Sequence, residues 1–562
     1  MNTPSPAIVS DLAVQRLPKY ALIALCVIYV LTGSFGRDPW KSIDLTSLGY
    51  MVSLANHSSS LFNINMAGIA PELDALLPYW LGMLAMQWLT WLSPDIAARS
   101  VFALFNLLGM GCLWLGIYFL GRNPKAQPVA FAFGGQANPK DYAWSMADAG
   151  LLAYIACLGL ALPSHEITPM AFQLNSVCII FASAASLAFY PTIGIMGVLL
   201  SSILLSLSGA PTIGSIFFAG ISILWLQHPQ STKNQKLFLV AAFITIVSLI
   251  FYLELWQWRI VKTYELRAKI KEQAELLIWF LWPAWPLAAW SIWKWRSHWQ
   301  QQAWTQHLTI PIFFFVITLF SSLFTENSDR TLLLVLPSIS ALAAFALPTF
   351  SRAAASLVDW FTLLFFTVCA LAIWIVWISL ETGIPTQPAL NVYKLVPGYM
   401  HQFQLLPLIT AVAATVFWIK LVIWRVGRHP SALWKSLILP AGGTSLCWIL
   451  LMTLWLPFLD HALSYRTWTQ QLRQIIGNDT CIYFSNIDRH QIAGFSFHGN
   501  FVFEHISEPR QTCHWLLIKP SQKTTPSIPN KSEWLFQQTM VRPGDKNDVI
   551  SIYKRVAPSK HD

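Results

Sequence analysis

The sequence predicts an α-helical polytopic membrane protein with about thirteen transmembrane helices, interfacial helices on the outer side, and a small C-terminal α/β soluble domain. Three observations support this fold class. Of the 562 residues, 55% are hydrophobic and only 11% are charged, whereas soluble domains have about 25% charged residues. Apolar runs of about 20 residues, the length that crosses a bilayer, recur before residue 460. After residue 465, short β-prone runs alternate with turn residues.

The apolar runs give the positions of the predicted spans. The fifth and sixth runs are short and contain glycine and proline, residues that mark helix ends. The thirteen predicted spans cover residues 19–36, 99–120, 144–162, 168–188, 191–207, 211–227, 236–254, 275–293, 308–324, 331–348, 356–380, 403–424 and 436–458.

The charged residues between the spans predict the orientation. With a cytoplasmic N-terminus, the loops on the cytoplasmic side are rich in lysine and arginine, and almost all acidic residues lie on the other side, as the positive-inside rule requires. The mirror orientation violates this rule. The net charge of +10 is spread over short loops, so nucleic-acid binding is not expected. We expect a multi-pass protein of the bacterial inner membrane whose first span is a retained anchor and whose C-terminal domain is periplasmic.

Two outer loops are long. The first, 37–98, contains the run "LLPYWLGMLAMQWLTWL", which predicts a helix lying along the membrane surface. The alternative is a further span, which would reverse the topology of everything downstream. The second, 255–274, has charges at helical spacing. It is either a basic amphipathic helix at the membrane surface or a solvated helix whose opposite charges pair.

The chain is predicted to divide into a transmembrane domain, 1–460, and a small periplasmic domain, 461–562. Cys481 and Cys513 lie in the second domain and could form a disulfide in an oxidising compartment, although spacing alone cannot supply the geometry. The sequence contains no Walker motif, no Gly-x-Gly-x-x-Gly and no Gly-x-Ser-x-Gly. We therefore expect no nucleotide cofactor.

Charged residues that could carry chemistry cluster in the predicted outer loops. Carboxylates and a histidine that converge on one cavity can bind a divalent metal ion or act as a general base, and arginines can hold a phosphate. Each could instead be a solvated loop residue or a helix cap. Asp148, at the start of the third span, is expected to cap that helix. The candidates in the outer loops are Asp38, Asp44, Glu72, Asp74, His165, Glu166, Glu326, Asp329 and Arg330.

Several segments resemble a known family. "GRDPWKSIDL", "LPYWLGM" and "AARSVFALFNLLGMG", together with the order of spans, acidic first loop and outer tail, resemble the bacterial aminoarabinose transferases of lipid A. These are similar to protein O-mannosyltransferases, and both belong to the glycosyltransferase C superfamily. Two positions depart from the family pattern. Ile43 precedes Asp44 where relatives have two adjacent acids, and no lysine precedes Tyr79–Trp80.

The resemblance implies roles for individual residues. Asp44 takes the place of the catalytic carboxylate, with Asp38 as the alternative. Glu72, His165 and Glu166 are the expected ligands of a divalent metal ion, Zn²⁺, Mg²⁺ or Mn²⁺, if one is used. The residues expected to bind the donor phosphate are Arg259, Lys262 and Arg330.

The resemblance also implies the reaction. The enzyme would transfer a sugar, with inversion, from a polyprenyl-phosphate donor to a periplasm-facing acceptor such as lipid A or another envelope glycan or protein. Its partners would be the donor, the acceptor and membrane lipids. Two alternatives remain. A transporter or flippase of lipid-linked sugars predicts charges inside spans and paired repeats. A non-catalytic envelope scaffold would use the C-terminal domain to bind partners.

Overall fold

The chain folds as two compact units. The computed structural model describes residues 5–40, 42–228, 231–255, 266–297, 305–325, 328–427, 432–507, 512–520, 533–542 and 544–556. The first unit comprises Met1–Phe35, Ser100–Ile373 and Leu406–Met452. The second comprises Gly36–Arg99, Trp374–Leu405 and Thr453–Asp562. The domain division expected between residues 460 and 461 stays a prediction.

Most of the described residues are helical. The helices, in chain order, are α1 Lys19–Ser34, α2 Ile43–Ala55, α3 Leu77–Trp88, α4 Pro94–Arg122, α5 Pro139–Ala156, α6 Pro169–Ser186, α7 Pro191–Leu207, α8 Pro211–Leu226, α9 Lys233–Tyr252, α10 Leu266–Phe280, α11 Ala284–Lys294, α12 Gln306–Leu323, α13 Ser328–Thr331, α14 Leu336–Ala346, α15 Arg352–Thr382, α16 Thr386–Leu395, α17 Leu405–Val426, α18 Lys435–Leu450, α19 Leu456–Leu463, α20 Arg466–Ile476 and α21 Arg489–Gly499.

The helices of the first unit begin where the sequence provides start signals. Proline is the first residue of α5, α6, α7 and α8, where its missing N–H leaves no intrahelical hydrogen bond unmade. The side chains of Asn138 and Thr168 cap α5 and α6. Helix α14 lies at the centre of this unit, with every residue buried, and packs against α5 and α11.

The helices agree with the predicted spans in position. Among the described residues, eight helices are long and apolar enough to cross a membrane, or ten if each of two bent pairs forms one span. Three further predicted spans coincide with the shorter apolar helices α1, α7 and α8. The fold class is therefore confirmed as a multi-pass helical membrane protein, while the count of thirteen stays a prediction.

One predicted span is sharply bent. The apolar run 275–293 becomes α10 and α11, which meet at an angle of 96°. Pro283 lies at this break and cannot donate the backbone hydrogen bond that would continue the helix. A run that is long and apolar enough to cross a membrane thus contains a sharp bend.

Asp148 does not cap a helix, so this prediction was wrong. Helix α5 begins at Pro139, well before Asp148, and Asn138 is its cap. Asp148 is buried inside the helix, where it accepts hydrogen bonds from the indole N–H of Trp114 at 2.9 Å and the backbone N–H of Leu17 at 3.2 Å. The apolar run begins later than the helix, because the first turns of α5 are polar.

The second unit combines short helices with a five-stranded sheet. Its strands are β1 Cys481–Ser485, β2 Val502–His505, β3 Trp515–Ile518, β4 Trp534–Arg542 and β5 Asp545–Arg555. They lie in the order β2-β1-β3-β5-β4, with β1 parallel to β2 and β3 and the remaining pairs antiparallel. A disulfide joins Cys481 to Cys513, whose Cα atoms are 5.2 Å apart. The small C-terminal α/β region is thus confirmed.

Helices α2 and α3 belong to this unit. Helix α3 has 12 residues, about 18 Å at 1.5 Å per residue, which is too short to cross a hydrocarbon core of about 30 Å. It corresponds to the run predicted to lie along the membrane. Helix α2 packs against α3 and α21. Gly49 permits the contact with α21, because a Cβ there would lie 2.7 Å from the Cβ of Ala493.

Candidate active site

Asp44 lies in the first turn of α2, between two arginines of the same unit. Its Oδ2 accepts a hydrogen bond from Arg37 Nη1 at 3.0 Å and another from Arg99 Nη2 at 2.9 Å. The three side chains are at most 1% exposed. Arg37 also stacks over the Trp40 ring, 4.8 Å from its centroid. The loop before α2 and the start of α4 therefore both position this carboxylate.

The burial of this cluster determines how firmly Asp44 is held. Arg37 and Arg99 both donate to Asp44 Oδ2, and the three side chains are almost fully buried. Breaking a buried ion pair is strongly destabilising. The arginines therefore hold the Asp44 carboxylate in one orientation.

Asp38 makes different contacts. It accepts hydrogen bonds from Arg466 Nε at 2.9 Å and from Ser464 Oγ at 2.7 Å, next to the beginning of α20. Burial raises the pKa of Asp38, but the hydrogen bonds and charge of Arg466 and the Ser464 hydroxyl lower it more, so the pKa lies below its ordinary value. Its backbone N–H and the Trp40 indole N–H both donate to Asp460 Oδ1. Asp38 thus fastens the first loop to α19 and α20.

Glu72 lies in the second unit and is half exposed. Its Oε1 accepts a hydrogen bond from Arg489 Nη1 at 3.1 Å, and Arg489 Nε donates to the backbone oxygen of Ala70 at 3.0 Å. Helix α21 begins at Arg489. The contact therefore connects the first loop with the start of α21.

Glu166 and Arg330 meet in the first unit, although the sequence assigned them to different roles. Arg330 Nε donates to Glu166 Oε2 at 2.9 Å and Arg330 Nη2 donates to Oε1 at 2.8 Å. This is the paired geometry in which a guanidinium matches a carboxylate best. The side chain of Glu166 is 4% exposed and that of Arg330 is 16% exposed. Glu166 thus fixes the direction of the Arg330 side chain.

His165 lies against the end of α1. Its Nε2 is 2.8 Å from the backbone oxygen of Tyr29, and its Nδ1 contacts the backbone oxygen of Ala161. Its ring packs on Trp448, with the ring centroids 4.9 Å apart. The Trp448 indole N–H donates to the backbone oxygen of Thr32 at 2.7 Å. His165 and Trp448 together hold the last turn of α1.

The three expected metal ligands do not fit a metal ion. Both carboxylate oxygens of Glu166 accept from Arg330, one oxygen of Glu72 accepts from Arg489, and both ring nitrogens of His165 lie at hydrogen-bond distance from carbonyl oxygens. Within the described ranges, no three His, Cys, Asp or Glu side chains are grouped as a metal site would require.

Some predicted residues cannot be placed. Arg259 and Lys262, expected to bind the donor phosphate, and Glu326 lie outside the described residues, as does most of the loop 255–274 before α10.

A cavity of about 210 Å³ lies in the first unit, next to Arg330 in the chain. It is bordered by the beginnings of α6 and α8, the end of α12 and the turn that contains Thr331. Its lining is mostly apolar, and Gln173, Thr325 and Thr331 add polar groups. All these helix ends belong to the side predicted to face outward. The cavity therefore offers apolar surface at Thr331, the residue that follows Arg330 in the chain.

Three residues that were not predicted contact the predicted candidates: Arg99 contacts Asp44, Arg466 contacts Asp38, and Trp448 contacts His165. Arg99 was missed because it is distant in sequence from Asp44. A signal was nevertheless present, since an arginine at the start of an apolar span needs a partner. Arg466 lies where the chain becomes polar and resembled an ordinary surface residue. Trp448 gave no signal among 28 tryptophans.

Two crystal structures of ArnT from Cupriavidus metallidurans, a lipid A aminoarabinose transferase, share the architecture described above. The predicted resemblance is therefore confirmed for the fold. The structure bound to undecaprenyl phosphate matches with a TM-score of 0.62 and 12% sequence identity, covering 96% of this chain and 98% of that one. The apo structure matches with a TM-score of 0.63 and 11% identity, covering 95% and 97%.

Comparison of the sequence alone identifies no family. No protein-family model matches the chain, and no curated protein sequence matches it. The similarity to ArnT is therefore one of fold over almost the whole length of both chains.

Proposed function

We propose that this protein is a membrane glycosyltransferase that moves a sugar from a polyprenyl-phosphate donor to a periplasm-facing acceptor. Lipid A, another envelope glycan or an envelope protein is the acceptor class. The observation that carries the proposal is the fold, which over 96% of this chain matches an ArnT structure that holds undecaprenyl phosphate. The buried Asp44 cluster, just after the first predicted span, adds support.

The reaction needs no nucleotide. An oxygen of the acceptor forms a bond to the anomeric carbon, and the bond from that carbon to the phosphate oxygen breaks. The polyprenyl phosphate leaves with the bonding electron pair, and attack from the opposite face inverts the anomeric centre. If the acceptor is a hydroxyl, its proton passes to a base, whereas a phosphate acceptor releases none.

Asp44 is the proposed catalytic carboxylate. Its two arginine partners hold the carboxylate in one orientation, from which it can orient the acceptor or receive the proton of a hydroxyl. Arg37 and Arg99 act as positioning residues through Asp44.

Arg330 is the proposed phosphate-binding residue among those described. Glu166 holds its guanidinium in one direction, and such preorganisation lowers the entropy that binding costs. The apolar cavity of about 210 Å³ beside Thr331 suits the first part of a polyprenyl chain. Arg259 and Lys262 remain proposed contributors.

The bacterial inner membrane is the proposed location, with the C-terminal domain in the periplasm. Two observations support this. The loops predicted to be cytoplasmic contain lysine and arginine but few acidic residues, whereas almost all acidic residues lie on the other side. The Cys481–Cys513 disulfide suits an oxidising compartment.

The test is Asp44→Asn in a strain that lacks the native gene, with envelope glycolipids and glycoproteins measured by mass spectrometry. We expect the modification made by the wild-type chain to disappear. Asp11→Asn, which alters an exposed carboxylate on the opposite predicted side, should leave it intact. The amount of folded protein in the membrane is measured for each variant, and binding of undecaprenyl phosphate is measured on purified protein.

The outcomes are distinct. Loss of transfer with retained undecaprenyl-phosphate binding supports the assigned role of Asp44. Transfer at the wild-type level would remove Asp44 from the catalytic machinery. If the wild-type chain changes no envelope component and does not bind undecaprenyl phosphate, the proposed activity itself is wrong.

A further inference from the structure

A second, larger cavity lies in the first unit at the other end of α6, α8 and α12. Its volume is about 540 Å³, within the range of about 300–1,000 Å³ that is typical of small-ligand sites. It is bordered by the end of α6, the end of α8, the beginning of α12 and the turn after α4. All four ends belong to the side predicted to face the cytoplasm, whereas the cavity beside Thr331 lies at the outward ends.

The two cavities share no described lining residue, and the wall of the larger one is reinforced by packed aromatic rings. Phe314 is fully buried and stacks on Phe217, with the ring centroids 4.2 Å apart. Phe181 contacts the same ring edge-on at 5.3 Å. The larger cavity is therefore a site distinct from the one beside Arg330.

The lining of the larger cavity has two chemical zones. One zone is apolar and lies along α8 and α12; it comprises Ile221, Leu224, Ile310, Phe313 and Phe314. The other is polar and comprises Asn123, Lys125, Gln227, His228, Gln306 and Thr309. A ligand that satisfies both zones must itself be amphipathic.

The charge of the polar zone is positive. Lys125 is exposed at the rim, and Arg122 is held over the ring of Phe189, another lining residue, at 5.2 Å. None of the described residues that line the cavity is acidic. Basic side chains at a membrane surface each favour an anionic lipid by about 1 kcal/mol. The rim is thus complementary to an anion.

A buried hydroxyl at the boundary of the zones also requires a partner. Thr309 Oγ1 is buried and has no hydrogen-bond partner among the described residues. A buried hydroxyl without a partner costs free energy, and its O–H can donate to a phosphate or ester oxygen of a ligand. Thr309 lies next to Ile310, so one molecule could contact both zones.

We infer that this cavity binds an anionic phospholipid of the cytoplasmic leaflet. The phosphate would lie near Lys125 and Thr309, and an acyl chain would cover the apolar zone. Free phosphate would leave that zone in contact with water, which disfavours it as the occupant. Ile223 on the outer face of α8 is 53% exposed, as expected where a helix meets acyl chains. The inference rests on the first unit alone and does not require the proposed transferase activity.

The test is native mass spectrometry of the purified full-length protein titrated with phosphatidylglycerol or phosphatidylcholine. Two variants change the site in different ways, one through its charge and the other through its volume. Lys125→Glu reverses the charge at the rim, and Ala188→Trp fills the cavity from a half-buried lining position. We expect Lys125→Glu to weaken phosphatidylglycerol binding about thirtyfold, since the loss of one basic charge and the gain of one acidic charge each cost about 1 kcal/mol. Ala188→Trp should weaken it about tenfold, because the indole occupies the space of the ligand. Thr309→Val, which keeps the shape but removes the hydroxyl, should weaken it a few-fold.

The controls match these variants in chemistry. Lys140→Glu reverses an exposed charge on the same predicted side, and Ile223→Trp adds an indole to α8 outside the cavity. Both should bind phosphatidylglycerol like the wild type, and thermal unfolding verifies that every variant is folded. Unchanged binding in folded Ala188→Trp would overturn the inference. Equal binding of phosphatidylcholine, or displacement of phosphatidylglycerol by excess inorganic phosphate, would overturn the assignment of an anionic lipid.

Discussion

At the scale of single residues, the stability of the Asp44 cluster depends on all three of its side chains together. Arg37 and Arg99 donate to the same oxygen of Asp44, and all three side chains are buried. Loss of the carboxylate removes the acceptor that both arginines share, whereas loss of Arg99 leaves the hydrogen bond from Arg37 to Asp44 in place. The two changes should therefore have unequal effects on stability.

We predict that Asp44→Asn lowers the free energy of unfolding by about 3–5 kcal/mol, the usual effect of breaking a buried ion pair. Arg99→Met should cost less, because Asp44 keeps Arg37 and the methionine fills similar volume. Thermal unfolding in detergent measures both, with the exposed Lys394→Met as control. A greater loss in Arg99→Met than in Asp44→Asn would contradict this account of the cluster.

His498, near the C-terminal end of α21, makes stability depend on pH. Burial lowers its pKa most and Arg466 lowers it further, while Asp38 and Asp95 raise it, and the result lies below the ordinary value of 6.5. Below pH 6.5 the unfolded chain therefore binds a proton that the folded chain does not. Stability is thus lost as the pH falls from 6.5 towards the lowered pKa.

His498→Gln should remove this part of the acid sensitivity, because glutamine does not titrate. The measurement is the unfolding temperature at one pH above and one pH below 6.5. His505→Gln, at an exposed histidine on β2, is the control and should lose as much stability in acid as the wild type. An equal acid loss in His498→Gln would show that another group is responsible.

At the scale of elements, the conformation and packing at the end of α1 require a glycine at position 33. Thr32 and Gly33 leave the helical conformation, and Gly33 has a φ of +89°. A Cβ on Gly33 would lie 2.4 Å from Trp448 Cζ2. The indole cannot move away cheaply, because it is buried, donates to Thr32 and packs on His165.

We predict that Gly33→Ala destabilises the protein by about 2–4 kcal/mol, through strain at positive φ and overpacking against Trp448. Gly36→Ala is a matched control, because Gly36 also has positive φ but no atom lies within 4 Å of a Cβ there. Gly36→Ala should therefore show the backbone strain alone, about 1–2 kcal/mol. Equal losses in the two variants, measured by thermal unfolding, would exclude a contribution from the Trp448 contact.

Local pattern was enough to predict most elements but not their bends. Each predicted span coincides with an apolar helix, because a run of apolar residues must be helical to satisfy its backbone in lipid. The bend between α10 and α11 was not predicted, because the length and hydropathy of an apolar run do not show whether the run is straight. The start of α5 was placed too late, because its first turns are polar.

The candidate site could be predicted only in part. The family resemblance indicated Asp44, one of the two acidic residues that follow the first predicted span. Its partner Arg99 is 55 residues away, and the pairing depends on how α2 and α4 lie. Glu166 and Arg330 were both predicted as site residues, one as a metal ligand and the other as a phosphate-binding residue. The structure instead pairs them with each other, although they are 164 residues apart in the sequence. Which charged residues pair over such distances depends on the tertiary structure and cannot be deduced from their spacing in the sequence.

At the scale of the whole molecule, exposed apolar helices support a membrane environment. Only 11% of the apolar window of α17 and 28% of that of α15 is buried within the protein. Water would not tolerate so much contiguous apolar surface, whereas acyl chains cover it. The distribution of charged residues between the spans predicts the orientation across that membrane, and this prediction can be tested site by site.

We predict that cysteines placed at exposed positions label according to this orientation. Asn63→Cys in the first outer loop and Asn391→Cys in α16 should react with a membrane-impermeant maleimide in intact cells with a permeabilised outer membrane. Lys140→Cys, at the start of α5, should react only after the inner membrane is opened. These positions are exposed, whereas Asp44 and His165 are buried and would fail to label for that reason alone. The parent chain provides the background, since its described free cysteines lie within apolar helices or, for Cys157, directly after the end of α5.

The three sites also separate the alternatives. Complete reversal would make Lys140→Cys reactive and the other two protected. A true span at 76–92 would leave Asn63→Cys reactive but exchange the behaviour of Lys140→Cys and Asn391→Cys, because every later segment would lie on the opposite side.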